Sequence, residues 1–100
     1  MTTTKTPPTG APKGQRELDQ VRQIAHAYGA KVSAQTTGGG RHIITITKHG
    51  VDPDDKHFRA ALYAIESVLR GQFDRGQRFQ GMSQFSMKTS LIDVQVRCLV

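Results

Sequence analysis

Residues 41–71 read RHIITITKHGVDPDDKHFRAALYAIESVLRG, and the period of the apolar residues changes part-way along. The first part, Arg41–Lys48, is rich in β-branched residues and alternates. His42, Ile44, Ile46 and Lys48 fall on one side, and Arg41, Ile43, Thr45, Thr47 and His49 on the other. From Phe58 onward, Phe58, Ala61, Leu62, Ile65, Val68 and Leu69 recur at helical spacing and form one apolar stripe. Between the two stands Asp52-Pro53-Asp54-Asp55. Asp52 reads as the N-cap and Pro53 as the first helical residue, with the acids at 54 and 55 complementing the positive end of the helix dipole. Gly71 closes the helix. A strand followed at once by a capped amphipathic helix makes this an α+β chain.

Toward the N-terminus, Ala30, Val32 and Ala34 alternate with Lys31, Ser33 and Gln35, and Thr36-Thr37-Gly38-Gly39-Gly40 supplies a turn. Strands near 30–36 and 41–48 therefore form a β-hairpin. Before it, Leu18, Val21, Ile24, Ala25 and Tyr28 make a second helical stripe that ends at Gly29, predicting a helix over 16–28. Residues 1–15 are Thr, Pro, Gly and Lys with little to bury, and are expected to form a disordered arm ahead of a single domain over 16–100.

Toward the C-terminus, residues 71–86, GQFDRGQRFQGMSQFS, hold neither period and read as a loop. Phe73, Phe79 and Phe85 lie six apart among Gly, Gln and Arg. Such a stretch either tracks a phosphate backbone and stacks on bases or tucks its rings onto the core. The alternation of Ile92, Val94, Val96, Cys98 and Val100 predicts a final strand. The expected order is α-β-β-α-β, a three-stranded antiparallel sheet backed by two helices in two layers. The last strand is expected to pair within the monomer or to join two copies in a homodimer.

Composition narrows the function. The chain has 100 residues, 36% of them apolar, with no tryptophan. That is enough for one thin core. Fourteen Lys and Arg stand against eight Asp and Glu, a net charge of +6 that suits a polyanion. The lone Cys98 excludes an intramolecular disulfide and a cysteine zinc site, and fits a cytoplasmic protein. No apolar run is long enough to span a membrane, and Met1–Gly14 has no hydrophobic segment of the secretory kind.

No phosphate-binding loop, dinucleotide fingerprint or nucleophile elbow is present, and the four histidines make no metal-ligand pair. No cofactor or metal is expected. His26 and His57 lie on the polar sides of their helices. The reading that remains is a nucleic-acid-binding protein, for RNA or DNA, directed at the backbone. Lys31, Arg41, Lys48 and His49 on the hairpin and Arg75 and Arg78 beyond the second helix are its candidate contacts. A second reading is a regulator of phage or mobile-element type that docks on a host enzyme through a strand edge.

The helix, the strand and the Gly40-Arg41-His42 that opens an Ile/Thr-rich strand also resemble the HicA-type small RNA-cleaving toxins over residues 16–70. Those have a fold similar to double-stranded RNA-binding domains. The resemblance implies a metal-independent ribonuclease with His42 as its catalytic residue. Arg41 stands where that family carries Ser.

Overall fold

The computed structural model describes residues 13–100, so residues 1–12 of the expected arm lie outside the described residues. The elements are α1 (Gln15–Tyr28), β1 (Lys31–Thr36), β2 (His42–His49), α2 (Lys56–Leu69), β3 (Gln77–Phe79), β4 (Met82–Lys88) and β5 (Ile92–Leu99). The two expected helices and the β1–β2 hairpin are present. The sheet differs from expectation. It has five strands in the order β1-β2-β5-β4-β3, and β5 runs parallel to β2 while every other pair is antiparallel.

The two extra strands come from the stretch read as a loop. In β4 the inward residues are Ser83, Phe85 and Met87, and the outward ones begin with Met82. A serine facing in and a methionine facing out blur the alternation that marks a strand. Gln80-Gly81 makes the turn between β3 and β4, with φ of 48° and 79°. Positive φ at both central residues is what a two-residue type I′ hairpin requires, and Asn-Gly is its usual signal. β5 then enters the middle of the sheet, and Ile92, Val94, Val96 and Cys98 on its inner face are at most 2% exposed.

The start of α2 also differs. Asp55, not Asp52, is the N-cap, and its Oδ2 accepts from the backbone N–H groups of His57 and Phe58 at 3.0 Å. Asp52 instead closes a turn: its Oδ1 accepts from the Asp54 N–H at 2.7 Å and its carbonyl from the Asp55 N–H at 2.9 Å. Pro53 suits the second position of that turn as well as it suits a first helical turn, which is why the sequence pattern admits both. At the far end Arg70 takes the left-handed conformation, with φ 54°, ahead of Gly71.

Both helices lie on one face of the sheet. The core joins Leu18, Val21 and Ala25 of α1 and Phe58, Leu62 and Ile65 of α2 to the inward residues of β2, β4 and β5. Phe58 is its centre, with its ring 6.0 Å from Tyr28 and 5.6 Å from Phe85, centroid to centroid. Cys98 is fully buried, and its thiol donates to the Val51 carbonyl. Burial pushes this thiol above its usual range, with Asp52 and Asp55 adding to the effect. No helix among the described residues is long and apolar enough to cross a membrane.

Phe58→Ala is expected to destabilise the fold by about 3–5 kcal/mol, measured by urea denaturation. A change below about 1 kcal/mol would remove Phe58 from the centre of the core. Gly76 has φ 81°, and a Cβ there would stand 2.5 Å from Phe85 Cε2. Gly76→Ala is therefore expected to lower the melting temperature by several degrees, whereas Gly81→Asn, in an open turn, is expected to change it little.

Candidate functional site

Alternation in the strands sorts the sequence-derived residues onto two faces. His42, Ile44, Ile46 and Lys48 of β2 face the helices, and Ile43, Thr45, Thr47 and His49 face the open side. His42 is completely buried. Its Nε2 lies 2.8 Å from the Lys13 carbonyl, and its Nδ1 lies 2.8 Å from the Thr36 hydroxyl. A carbonyl can only accept, so Nε2–H donates to it, while Nδ1 is engaged by the Thr36 hydroxyl. Both ring nitrogens are thus engaged within the chain. In this arrangement the imidazole ties the entry to α1 and the end of β1 to the start of β2, and neither nitrogen faces solvent.

Among the described residues, Arg41 is the most heavily bonded side chain. Its Nε donates to Asp93 Oδ2 at 2.9 Å, and its Nη2 donates to Asp93 Oδ1 and, at 2.8 Å, to the Thr89 carbonyl. Its Nη1 donates to the Ser90 carbonyl at 3.0 Å. The planar fork that suits a phosphate is here committed to a carboxylate and two carbonyls of the turn before β5. Hydrogen bonds from Arg41 hold the Asp93 carboxyl below the usual carboxylate range, against a smaller upward push from burial.

The remaining candidates are spread over the molecule. Lys48 faces the helices, with its Nζ 5.5 Å from the centre of the Tyr28 ring. Arg78 pairs at 3.1 Å with Asp54, in the turn before α2, and Arg59 of α2 meets the same carboxylate at 3.2 Å. These two arginines lower the Asp54 pKa. Arg75 is exposed in the segment before β3, and His49 is exposed at the end of β2. Of the hairpin cations, the fold leaves Lys31 free on the open face.

Register places other residues beside Lys31. Lys31 pairs with Thr47, Thr47 with Arg97, Arg97 with Gln84, and Gln84 with Gln77, so one row crosses all five strands. Lys31 and Arg97 are exposed, and neither forms an ion pair among the described residues. Next to this row, two residues further along β2 and β5, His49 pairs with Leu99, Leu99 with Met82, and Met82 with Phe79. Neither row contains a carboxylate. On the other side of the Lys31–Arg97 row come Ser33, Thr45, Gln95 and Ser86, and then Gln35, Ile43, Asp93 and Lys88.

At that far end the face is concave. A hollow of about 740 Å³ is lined by Ile43, Ser86, Lys88, Asp93 and Gln95 and rimmed by Gln72 and Asp74. Burial pushes the Asp74 carboxyl up. Hydrogen bonds from the Ser86 hydroxyl at 2.7 Å and from the Ser86 and Gly76 N–H groups outweigh that push and leave the pKa lowered. The acids of the open face are thus engaged by neighbours at one end, where Lys88 also stands, while Lys31 and Arg97 stand in a row without acids toward the other. Arg97 was not singled out in the sequence, because its place beside Thr47 and Lys31 depends on the pairing of β5 with β2. The alternation of Gln95, Arg97 and Leu99 against the apolar positions did put it on the solvent side.

Among the described residues no group of histidine, cysteine and acidic side chains is arranged to hold a metal ion. Compared with family models, curated proteins and solved structures, the chain matches none.

The lowered pKa of Asp93 has a pH signature. A carboxyl whose folded value lies below its unfolded value of about 3.9 contributes stability above that pH, and the contribution is lost as pH falls through the folded value. Asp93→Asn is therefore expected to denature at lower urea concentration than the wild type at pH 7. The gap is expected to close as pH falls below about 4. A gap of constant size from neutral pH to pH 2 would show that the Asp93 charge plays no part.

Proposed function

We propose that the protein binds nucleic acid across the open face of its sheet, along the row Lys31, Thr47, Arg97, Gln84 and Gln77, through contacts to the phosphate backbone. The observation that carries this reading is the pair of exposed cations, Lys31 and Arg97, in a row without acids. They are two strands apart, so their backbones are about 10 Å apart at ordinary strand spacing. Between and beside them stand a hydroxyl and two amides, groups that hydrogen-bond phosphate and sugar oxygens. Arg97 meets phosphate with a planar fork and Lys31 as a point charge. The net charge of +6 favours a polyanion at longer range.

The row lies on the outside of regular strands, so its side chains are held in register by the ladder. A sheet face with scattered amides and no inserted helix contacts a backbone rather than the edges of paired bases. The affinity is accordingly expected to depend steeply on salt and weakly on sequence. The buried His42 supports a role in folding, and binding without cleavage is the function proposed.

The test is fluorescence anisotropy with labelled oligonucleotides over a series of salt concentrations. The double variant Lys31→Gln/Arg97→Gln is expected to bind more weakly at low salt. Its slope of log affinity against log salt is expected to be smaller by about 1–2. Lys48→Gln, on the opposite face, is expected to keep the wild-type slope. A double variant with wild-type affinity and slope would overturn the row as the interface.

A further inference from the structure

We infer that the nucleic acid this face takes is single-stranded, and that one of its bases stacks on Phe79. This rests on the reading of the open face as a nucleic-acid interface and adds which form of the polymer it accepts. The three phenylalanines of the stretch 71–86 have separate fates. Phe85 is 2% exposed in the core and Phe73 packs against it, while Phe79 is 64% exposed. Phe79 makes no ring–ring contact among the described residues. It pairs with Met82 across the β3–β4 hairpin, and Met82 pairs with Leu99. Neither Met82 nor Leu99 belongs to the core, and both are half-buried on the open face. An aromatic ring beside two aliphatic side chains, with His49 at the end of the row, makes a short apolar platform on a face whose other outward strand residues, Ile43 apart, are polar.

The platform borders the cationic row. In β5, Arg97 and Leu99 are two residues apart on the same face, about 7 Å along the strand. In β3, Gln77 and Phe79 have the same relation. A strand whose phosphates follow Lys31 and Arg97 can therefore turn a base onto Phe79 and its aliphatic neighbours. In a duplex the bases are paired and stacked on one another, and their faces are not available to a side chain. In a single strand they are free, and every base has a face that stacks on an aromatic ring. Asp74 and Asp93 lie at the other end of the open face, whereas Asp52 borders the hollow beside Phe79 and Met82, and Asp54 close by is paired with Arg59 and Arg78. The arrangement selects the single-stranded form and tolerates any sequence.

The experiment measures binding of the full chain to labelled oligothymidylate, oligouridylate and a mixed-sequence duplex, for the wild type, Phe79→Ala, Phe79→Trp and Lys31→Gln/Arg97→Gln. Phe79 is on the surface, so Phe79→Ala is expected to melt with the wild type. It is expected to lose about tenfold or more in affinity for the single strands, with an unchanged salt slope and unchanged duplex binding. Phe79→Trp is expected to restore affinity, and its indole fluorescence, the only tryptophan signal in the chain, is expected to be quenched by a bound base. The two oligonucleotides tell DNA from RNA as the source of the strand. If Phe79→Ala binds single strands as well as the wild type while the double variant does not, stacking is overturned and backbone binding stands. Tighter binding of duplex than of either single strand overturns the inference likewise. If the wild type binds none of the three, both readings fall.

Discussion

The pairing of β5 with β2 is the constraint on which the other features depend. β5 is the middle strand of the sheet and β2 is its neighbour, and the two are separated in the chain by α2, β3 and β4. His42 sits opposite Ile92 and His49 opposite Leu99, and that register puts Ile92, Val94, Val96 and Cys98 under the helices. A slip of one residue would turn Asp93, Gln95 and Arg97 inward and expose the whole apolar set. Side chains at the head of the pair oppose such a slip. Arg41 grips Asp93 and the carbonyls of Thr89 and Ser90, and the His42 N–H donates to the Leu91 carbonyl at 2.8 Å. At the other end the Gly50 N–H reaches the Leu99 carbonyl at 2.6 Å. A long-range parallel pair with no hairpin to set its alignment relies on such polar contacts at its ends.

Much of the fold was legible because it is written in local periods. The stripes of α1 and α2, the alternation of β2 and the apolar side of β5 each lie within one short window. The sheet order was not, because it depends on which distant strands meet. β3 and β4 escaped notice for a local reason: a buried Ser83, an outward Met82 and a Gln-Gly turn each weaken the usual strand signals. The helix cap was displaced by three residues because Asp52-Pro53-Asp54-Asp55 contains two aspartates that can each close a turn.

The candidate site was less legible than the fold. Charge and residue type marked Arg41 and Lys48 as surface groups, but neither property says which face of a sheet is covered. Lys48 has the parity of the isoleucines and so runs along Tyr28. Arg41 has the opposite parity and stands over Asp93, a residue 52 positions away. Arg97 became visible only once its row was assembled from five separate strands. His42 has the same origin: its burial follows from sharing a face with Ile44 and Ile46, and its partners come from Lys13 and Thr36.

The strict separation of the two sheet faces has a consequence for how such a molecule can change. Packing is carried by one parity in each strand, and the open face is built from the other. Substitutions at positions 31, 45, 47, 84, 95 and 97 alter what the surface meets without opening a cavity beneath it. The composition of the open surface and the stability of the fold are therefore nearly independent heritable traits here. The helix-facing set holds the backbone while the outer set is free to drift, so the surface chemistry can change by single steps on one scaffold.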